Sequence, residues 1–171
     1  EVGHALVGHS LKNCDPIHKI SIISRGMALG MTWMLPEEDK HLYSKSRFED
    51  EIASLLGGYV AEELIFGEIT TGASNDLERA SEIARKMVMK FGMGKMGPVM
   101  FGGNNEEVFL GKDFGHVRNY SEGIASKIDE EIHDLIEKAY QRTKELLIRK
   151  KPLLEEIAKE LLKKESLTRS D

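Results

Sequence analysis

From Ser121 to Leu162 the chain repeats apolar residues at helical spacing: Ile124, Ile128, Ile132, Leu135, Ile136, Ala139, Leu146 and Leu147, then Leu153, Leu154, Ile157, Leu161 and Leu162. An apolar residue every third or fourth position paints one stripe along a helix, and that stripe must be buried against another element. Pro152 falls inside the run. Proline lacks the amide proton that a helix interior needs but suits a first turn, so it either kinks one long helix or opens a second. Any fold for this chain is therefore built around long helices.

The same periodicity recurs upstream. Phe48, Ile52, Leu55, Leu56, Tyr59 and Val60 predict a helix from about Arg47 to Phe66, with Ser46 and Glu49 as its capping box. The glycine pair Gly57-Gly58 inside it costs roughly 1 kcal/mol per residue against alanine, which predicts a second backbone packed there. Leu77, Ala80, Ile83, Ala84, Met87, Val88 and Phe91 define another helix to Gly92, with Asn75 as N-cap and Glu78 completing the reciprocal cap. Glu1 to about Lys12 reads as a buried helix rich in small residues. Ile20 and Ile22, then Met27, Leu29, Met31, Trp33 and Leu35, alternate as two strands joined at Ser24-Arg25-Gly26. Gly92 to Gly115 holds seven glycines and reads as a long loop, with a short strand near Val99–Phe101. The fold class is mainly α with a small β element (α+β). One domain over 1–165 is expected, cut from a longer protein just before Glu1, with 166–171 a frayed polar tail.

Composition narrows the function. The net charge of −5, with 24 basic and 29 acidic residues and 6% aromatics, argues against a nucleic-acid groove, which needs clustered Lys and Arg with stacking rings between them. The longest uncharged run, Gly26 to Pro36, is eleven residues, too short to cross a bilayer. The lone Cys14 rules out a disulfide framework or a cysteine zinc ribbon. A metal in this chain must use His, Asp or Glu.

Glu1-Val2-Gly3-His4 matches the last four letters of the zinc-hydrolase helix motif H-E-x-x-H. A histidine one position before Glu1 would share a helical face with His4, leaving Glu1 beside the metal. Asp76, at the edge of the Leu77–Phe91 stripe, is a candidate further ligand. Its ordinary reading is a first-turn Asp facing the helix dipole. Glu63 falls near the middle of the Ile52–Phe66 stripe with Glu62 flanking it, so at least one of them enters the interior and needs a cationic, metal-bound or hydrogen-bonding partner. A structural ion pair is the alternative. His9, His18, His41, His116 and His133 earn no chemical role. Gly92-Met93-Gly94-Lys95-Met96-Gly97 spells a dinucleotide fingerprint, but a helix precedes it and Pro98 follows, where that motif needs a strand and then a helix.

Taken together, Glu1-Val2-Gly3-His4-Ala5, Asp15-Pro16-x-His18-Lys19, Arg25-Gly26-x-Ala28-Leu29-Gly30, Leu35-Pro36, Gly57-Gly58, Ala61-Glu62-Glu63, Thr71-Gly72-Ala73-Ser74-Asn75-Asp76 and Phe109-Leu110-Gly111 resemble the peptidase domain of the FtsH family of membrane-anchored, ATP-dependent zinc metalloproteases. The resemblance implies a zincin-like helical metalloprotease domain. It implies Zn²⁺ held by His4, Asp76 and a histidine just upstream of Glu1, with Glu1 as general base. It places the family's acidic pair at Glu62 and Glu63, and favours Glu62 as the outer partner of a ligand where the helical wheel favours Glu63. Gly30, Met31, Thr32 and Trp33, on the second strand, are the candidate substrate rail, where an extended peptide could pair with the edge; a plain core hairpin is the alternative. The resemblance further implies a hexameric parent whose separate ATPase module uses ATP not bound by this chain. Its substrates would be unfolded or membrane proteins. The parent would be anchored in a bacterial or organelle inner membrane, with this domain on a soluble, cytoplasmic face making no membrane contact of its own. Because the chain as written holds two of three ligands, a catalytically impaired helical oligomerisation or interaction module is the alternative function.

Overall fold

The computed structural model describes residues 1–23, 30–35, 42–102 and 120–168. Arg25-Gly26, Met27 to Leu29, Pro36, the stretch Glu37 to Lys40, His41, His116, Phe109-Leu110-Gly111 and the later part of the glycine-rich loop lie outside them. The described residues form six helices and one three-stranded sheet, the expected mainly α architecture with a small β element.

Helix α1 (Val2–Ser10) lies in the core and buries residues all round its circumference: Val2, Gly3, Ala5, Leu6, Val7 and Gly8. A helix that buries residues on nearly every side must be largely enclosed, and His9 is its one exposed residue. Strands β1 (Ile17–Ser21) and β2 (Met31–Met34) follow, antiparallel, with Ile20 opposite Thr32 and Lys19 opposite Trp33.

The helix expected over Arg47–Phe66 is two helices, α2 (Lys45–Leu55) and α3 (Gly57–Phe66), interrupted at Leu56. Its cap is Ser44 rather than Ser46: the Ser44 hydroxyl accepts from Arg47 N–H at 3.2 Å. The interruption coincides with Gly57-Gly58, where helix propensity is weakest and α1 packs closest. Helix α4 (Ser74–Met89) starts earlier than expected, because a 3₁₀ turn over Thr71–Ala73 runs straight into it and Ser74 N–H donates to the Thr71 carbonyl. Asn75 is thus inside the helix and is not its cap. Ala80, Ala84, Met87 and Val88 bury its inner face.

The glycine motif after α4 is a structural clamp. A Cβ on Gly94 would overlap the carboxylate of Glu131, a buried residue further along the chain. Glu131 Oε2 also accepts from Lys95 N–H at 2.9 Å. The strand expected near Val99–Phe101 does not form; Phe101 N–H folds back to donate to the Met89 carbonyl at 2.8 Å. Helix α5 (Glu122–Arg149), capped by Ser121, and α6 (Lys151–Lys164) carry the long stripe, so Pro152 opens a second helix instead of kinking one. The expected frayed tail is corrected in part: Ser166–Thr168 form β3 and pair with β1, giving the sheet order β2-β1-β3. Leu167 is buried opposite Ile20, so one apolar residue in a polar stretch anchors it.

A polar network ties the turn that follows α1 to α2 and α5. The Asp50 side chain is 3% exposed and accepts from Asn13 N–H at 3.1 Å, Asn13 Nδ2 at 2.8 Å and Arg142 Nη1 at 2.6 Å. One turn earlier, Arg47 grips Asp15 through two nitrogens, at 3.0 and 2.5 Å, and also donates to the Asn13 carbonyl. Cys14 sits beside this cluster. Burial first, and then the Asp50 charge, push its thiol up to about 11. The thiolate is the reactive form, so at pH 8 Cys14 in the folded chain should alkylate about two orders of magnitude more slowly than an ordinary cysteine. Iodoacetamide labelling with and without denaturant measures this; equal rates would contradict the burial.

Candidate metal centre

The close approach of α1 to α3 rests on paired glycines. A Cβ on Gly3 would overlap the Gly57 carbonyl oxygen and lie 2.7 Å from Ala61 Cβ, and one on Gly57 would lie 2.8 Å from the Gly3 carbonyl oxygen. The backbone expected against Gly57-Gly58 is therefore α1. Gly58 has a different neighbour: an added Cβ would overlap Nε2 of His4 and lie 2.9 Å from its Cε1. The imidazole occupies the space a side chain would fill.

That ring is held from both sides. Nδ1 lies 2.9 Å from the Ser54 carbonyl oxygen, near the end of α2. A carbonyl only accepts, so Nδ1 donates to it, which leaves Nε2 as the nitrogen that faces Asp76 and, once free of a proton, could ligate a metal. Nε2 stands 3.2 Å from Asp76 Oδ2, with the two side chains 18% and 26% exposed. Burial raises the Asp76 pKa, but the hydrogen bond and charge of His4, with Arg79 adding to them, leave it below the ordinary aspartate value.

The pair suits a divalent metal of the zinc type. Ligand atoms at about 2.0–2.2 Å from a tetrahedral ion are separated by about 3.3 Å, close to the observed 3.2 Å. Imidazole nitrogen and carboxylate oxygen are both common zinc donors, and a carbonyl that holds the second imidazole nitrogen is a common outer contact. Among the described residues no group of three or more His, Cys, Asp or Glu side chains stands ready to hold a metal. His4 and Asp76 meet as a pair that could supply two donors to a metal.

Glu1, at the start of α1, meets β2. Its Oε2 lies 2.6 Å from Thr32 Oγ1, and a Cβ on Gly30 would lie 2.7 Å from Glu1 Cγ and 2.9 Å from Oε1. Met31 and Trp33 alternate with these residues and are exposed. The acidic pair divides. Glu63 faces α5, accepting from Tyr140 Oη at 2.6 Å and pairing with Lys144 Nζ at 3.4 Å. The Tyr140 hydrogen bond first, with the Lys144 charge, holds its carboxyl below the usual range. Glu62 is half-buried one helical turn beyond Gly58, on the face that meets His4. Two contributors escaped the sequence reading: the Ser54 carbonyl, which no side-chain pattern marks, and Gly58 as the seat of the ring, for which the glycine pair was the signal.

The description of peptidase family M41 matches residues 1–171. The chain belongs to peptidase family M41. Among curated M41 relatives, it is 53% identical over 168 residues to ATP-dependent zinc metalloprotease FtsH 1 of Thermoanaerobacter sp. (strain X514), covering 98% of this chain and 28% of that protein. It is 52% identical over 169 residues to ATP-dependent zinc metalloprotease FtsH of Pseudothermotoga lettingae, covering 98% and 27%. The protein of the same name from Acidobacterium capsulatum is 45% identical over 171 residues, covering 100% and 27%. The chain thus spans about a quarter of the length of the M41 relatives it matches. Among the described residues no helix is long and apolar enough to cross a membrane.

Proposed function

We propose that this chain is the zinc endopeptidase part of a longer ATP-dependent protease, and that the residue before Glu1 in the parent is a histidine. The observation carrying this reading is the 3.2 Å approach of His4 Nε2 to Asp76 Oδ2, two donors seventy-two positions apart in the chain. Zn²⁺ bound by that histidine, His4 and Asp76 would polarise the scissile carbonyl and acidify the attacking water.

The chain's own residues supply the rest. Glu1 takes the proton from water and returns it to the leaving amine; the water oxygen bonds to the carbonyl carbon as the C–N bond breaks, with no covalent enzyme intermediate. The Ser54 carbonyl keeps His4 in the ligating tautomer. Glu62, on the same face as Gly58, is the acidic residue that steadies a ligand, while Glu63 is a structural partner of α5. Strand β2, at the sheet edge, takes the substrate backbone in extended form along Gly30 to Trp33, with Met31 and Trp33 offering apolar contacts. In this reading the parent is a hexamer, anchored in a bacterial or organelle inner membrane, that degrades unfolded or membrane proteins. Its ATP is used by a separate module.

The test measures zinc stoichiometry and casein cleavage by the full-length protein, its Glu1→Gln variant and a chelated sample. One zinc per chain, cleavage abolished by chelation, and at least about a 100-fold loss in Glu1→Gln with zinc retained are expected. Undiminished cleavage in Glu1→Gln would remove Glu1 from the mechanism. A protein that binds no zinc and cleaves nothing yet assembles would favour the alternative of an interaction module.

A further inference from the structure

Strand β2 has two faces with different tasks. Thr32 is paired with Ile20, which is buried, so their side chains lie on the same, inner face of the sheet. Met34, two positions on, shares that face and packs at Gly8 of α1, where an added Cβ would lie 2.6 Å from Met34 Cε. A hydroxyl turned toward an apolar core is costly unless it finds a partner. Thr32 finds two acceptors on one residue: Glu1 Oε2 at 2.6 Å and the Glu1 carbonyl oxygen at 3.0 Å. The hydroxyl has a single proton, and the shorter, charge-assisted bond to the carboxylate takes it. Gly30, also two positions from Thr32, leaves open the space beside Glu1 Cγ and Oε1 that a side chain would invade.

Resting on the reading of Glu1 as general base, we infer that Thr32 and Gly30 are positioning residues for Glu1: Thr32 donates to Oε2 and fixes the carboxylate, and Gly30 clears the volume in which Oε1 meets the proton. The edge that would receive substrate backbone is thereby the same strand that aims the base. Substrate contacts on β2 then come from its main chain and from the outward Met31 and Trp33, not from the Thr32 side chain.

The experiment uses the zinc-loaded full-length protein with a fluorogenic peptide, comparing Thr32→Val, Thr32→Ala, Thr32→Ser and Gly30→Ala. Zinc content and thermal midpoint are recorded for each. Thr32→Val should lower kcat about 10- to 100-fold while KM and zinc content stay within about twofold, and Thr32→Ser should recover kcat to within about threefold. Gly30→Ala should show the same kcat-selective loss. Thr32→Ala supplies the same comparison should the valine variant fail to fold. The inference is overturned if hydroxyl removal leaves kcat within about twofold, if the loss appears in KM, or if serine is as impaired as valine or alanine. Glu1→Gln, run alongside, separates the two layers. If it is fully active, the general-base reading fails; if it is inactive while Thr32→Val and Thr32→Ala keep normal kcat, only the positioning role fails.

Discussion

Gly58→Ala is expected to weaken zinc binding by the full-length protein about 10- to 100-fold, with peptidase activity falling in proportion. Helix propensity alone argues the other way: alanine inside α3 should stabilise that helix by roughly 1 kcal/mol over glycine. The collision decides the outcome. The new methyl group would fall on Nε2 of His4 and 2.9 Å from Cε1, and the ring cannot swing aside without breaking the 2.9 Å Nδ1 contact to the Ser54 carbonyl or leaving Asp76. Backing α3 away instead would open the close contact of Gly3 and Gly57. Titration against a competing chelator, with the thermal midpoint of the zinc-free protein recorded beside it, distinguishes these effects. A variant that keeps its zinc affinity and gains stability would show that the ring does not depend on that space.

Asp50→Ala is the second large effect, and it acts on stability. The carboxylate is almost wholly buried and accepts three hydrogen bonds, one from a main-chain N–H that has no mobility to seek another partner. Breaking a buried charged pair by deleting one member costs about 3–5 kcal/mol. Arg142 is half exposed and can turn to water, which points to about 3 kcal/mol, the lower end of that range. For a domain of this size that is a fall of roughly 6–12 °C in thermal midpoint. Circular dichroism on heating reads it directly, and a shift under about 2 °C would mean the network does not hold the turn after α1 to α2 and α5. The same variant removes one of the two largest causes of the raised Cys14 pKa, so the thiol should alkylate faster than in the unmodified protein.

Much of the fold was legible as pattern. The stripe over Ser121–Leu162 became α5 and α6, the Leu77–Phe91 face became α4 as far as Met89, and the alternating segment around Trp33 became β2, because apolar spacing reports the face an element must bury. Element ends were less legible. Ser44 and Ser46 are equally good caps by residue type, and Asn75 lost its role only because a 3₁₀ turn had already used the amide ahead of it. The break at Leu56 and the third strand at Ser166–Thr168 depend on partners far away in the chain: α1 against Gly57, and Ile20 against Leu167.

By itself the sequence determined the chemistry on offer: a Glu and a His on one helix face, no cysteine cluster, a glycine pair demanding close contact, and an aspartate at the head of a later helix. Only the tertiary structure decided which groups meet. It brought Asp76 to His4, set Glu63 against Tyr140 and Lys144, and turned Thr32 toward Glu1. The physical reason is that spacing along a helix or strand fixes direction relative to that element's own axis. Distances between elements follow from how their buried faces interlock, and here that interlocking depends on the missing Cβ atoms of Gly3, Gly57 and Gly58.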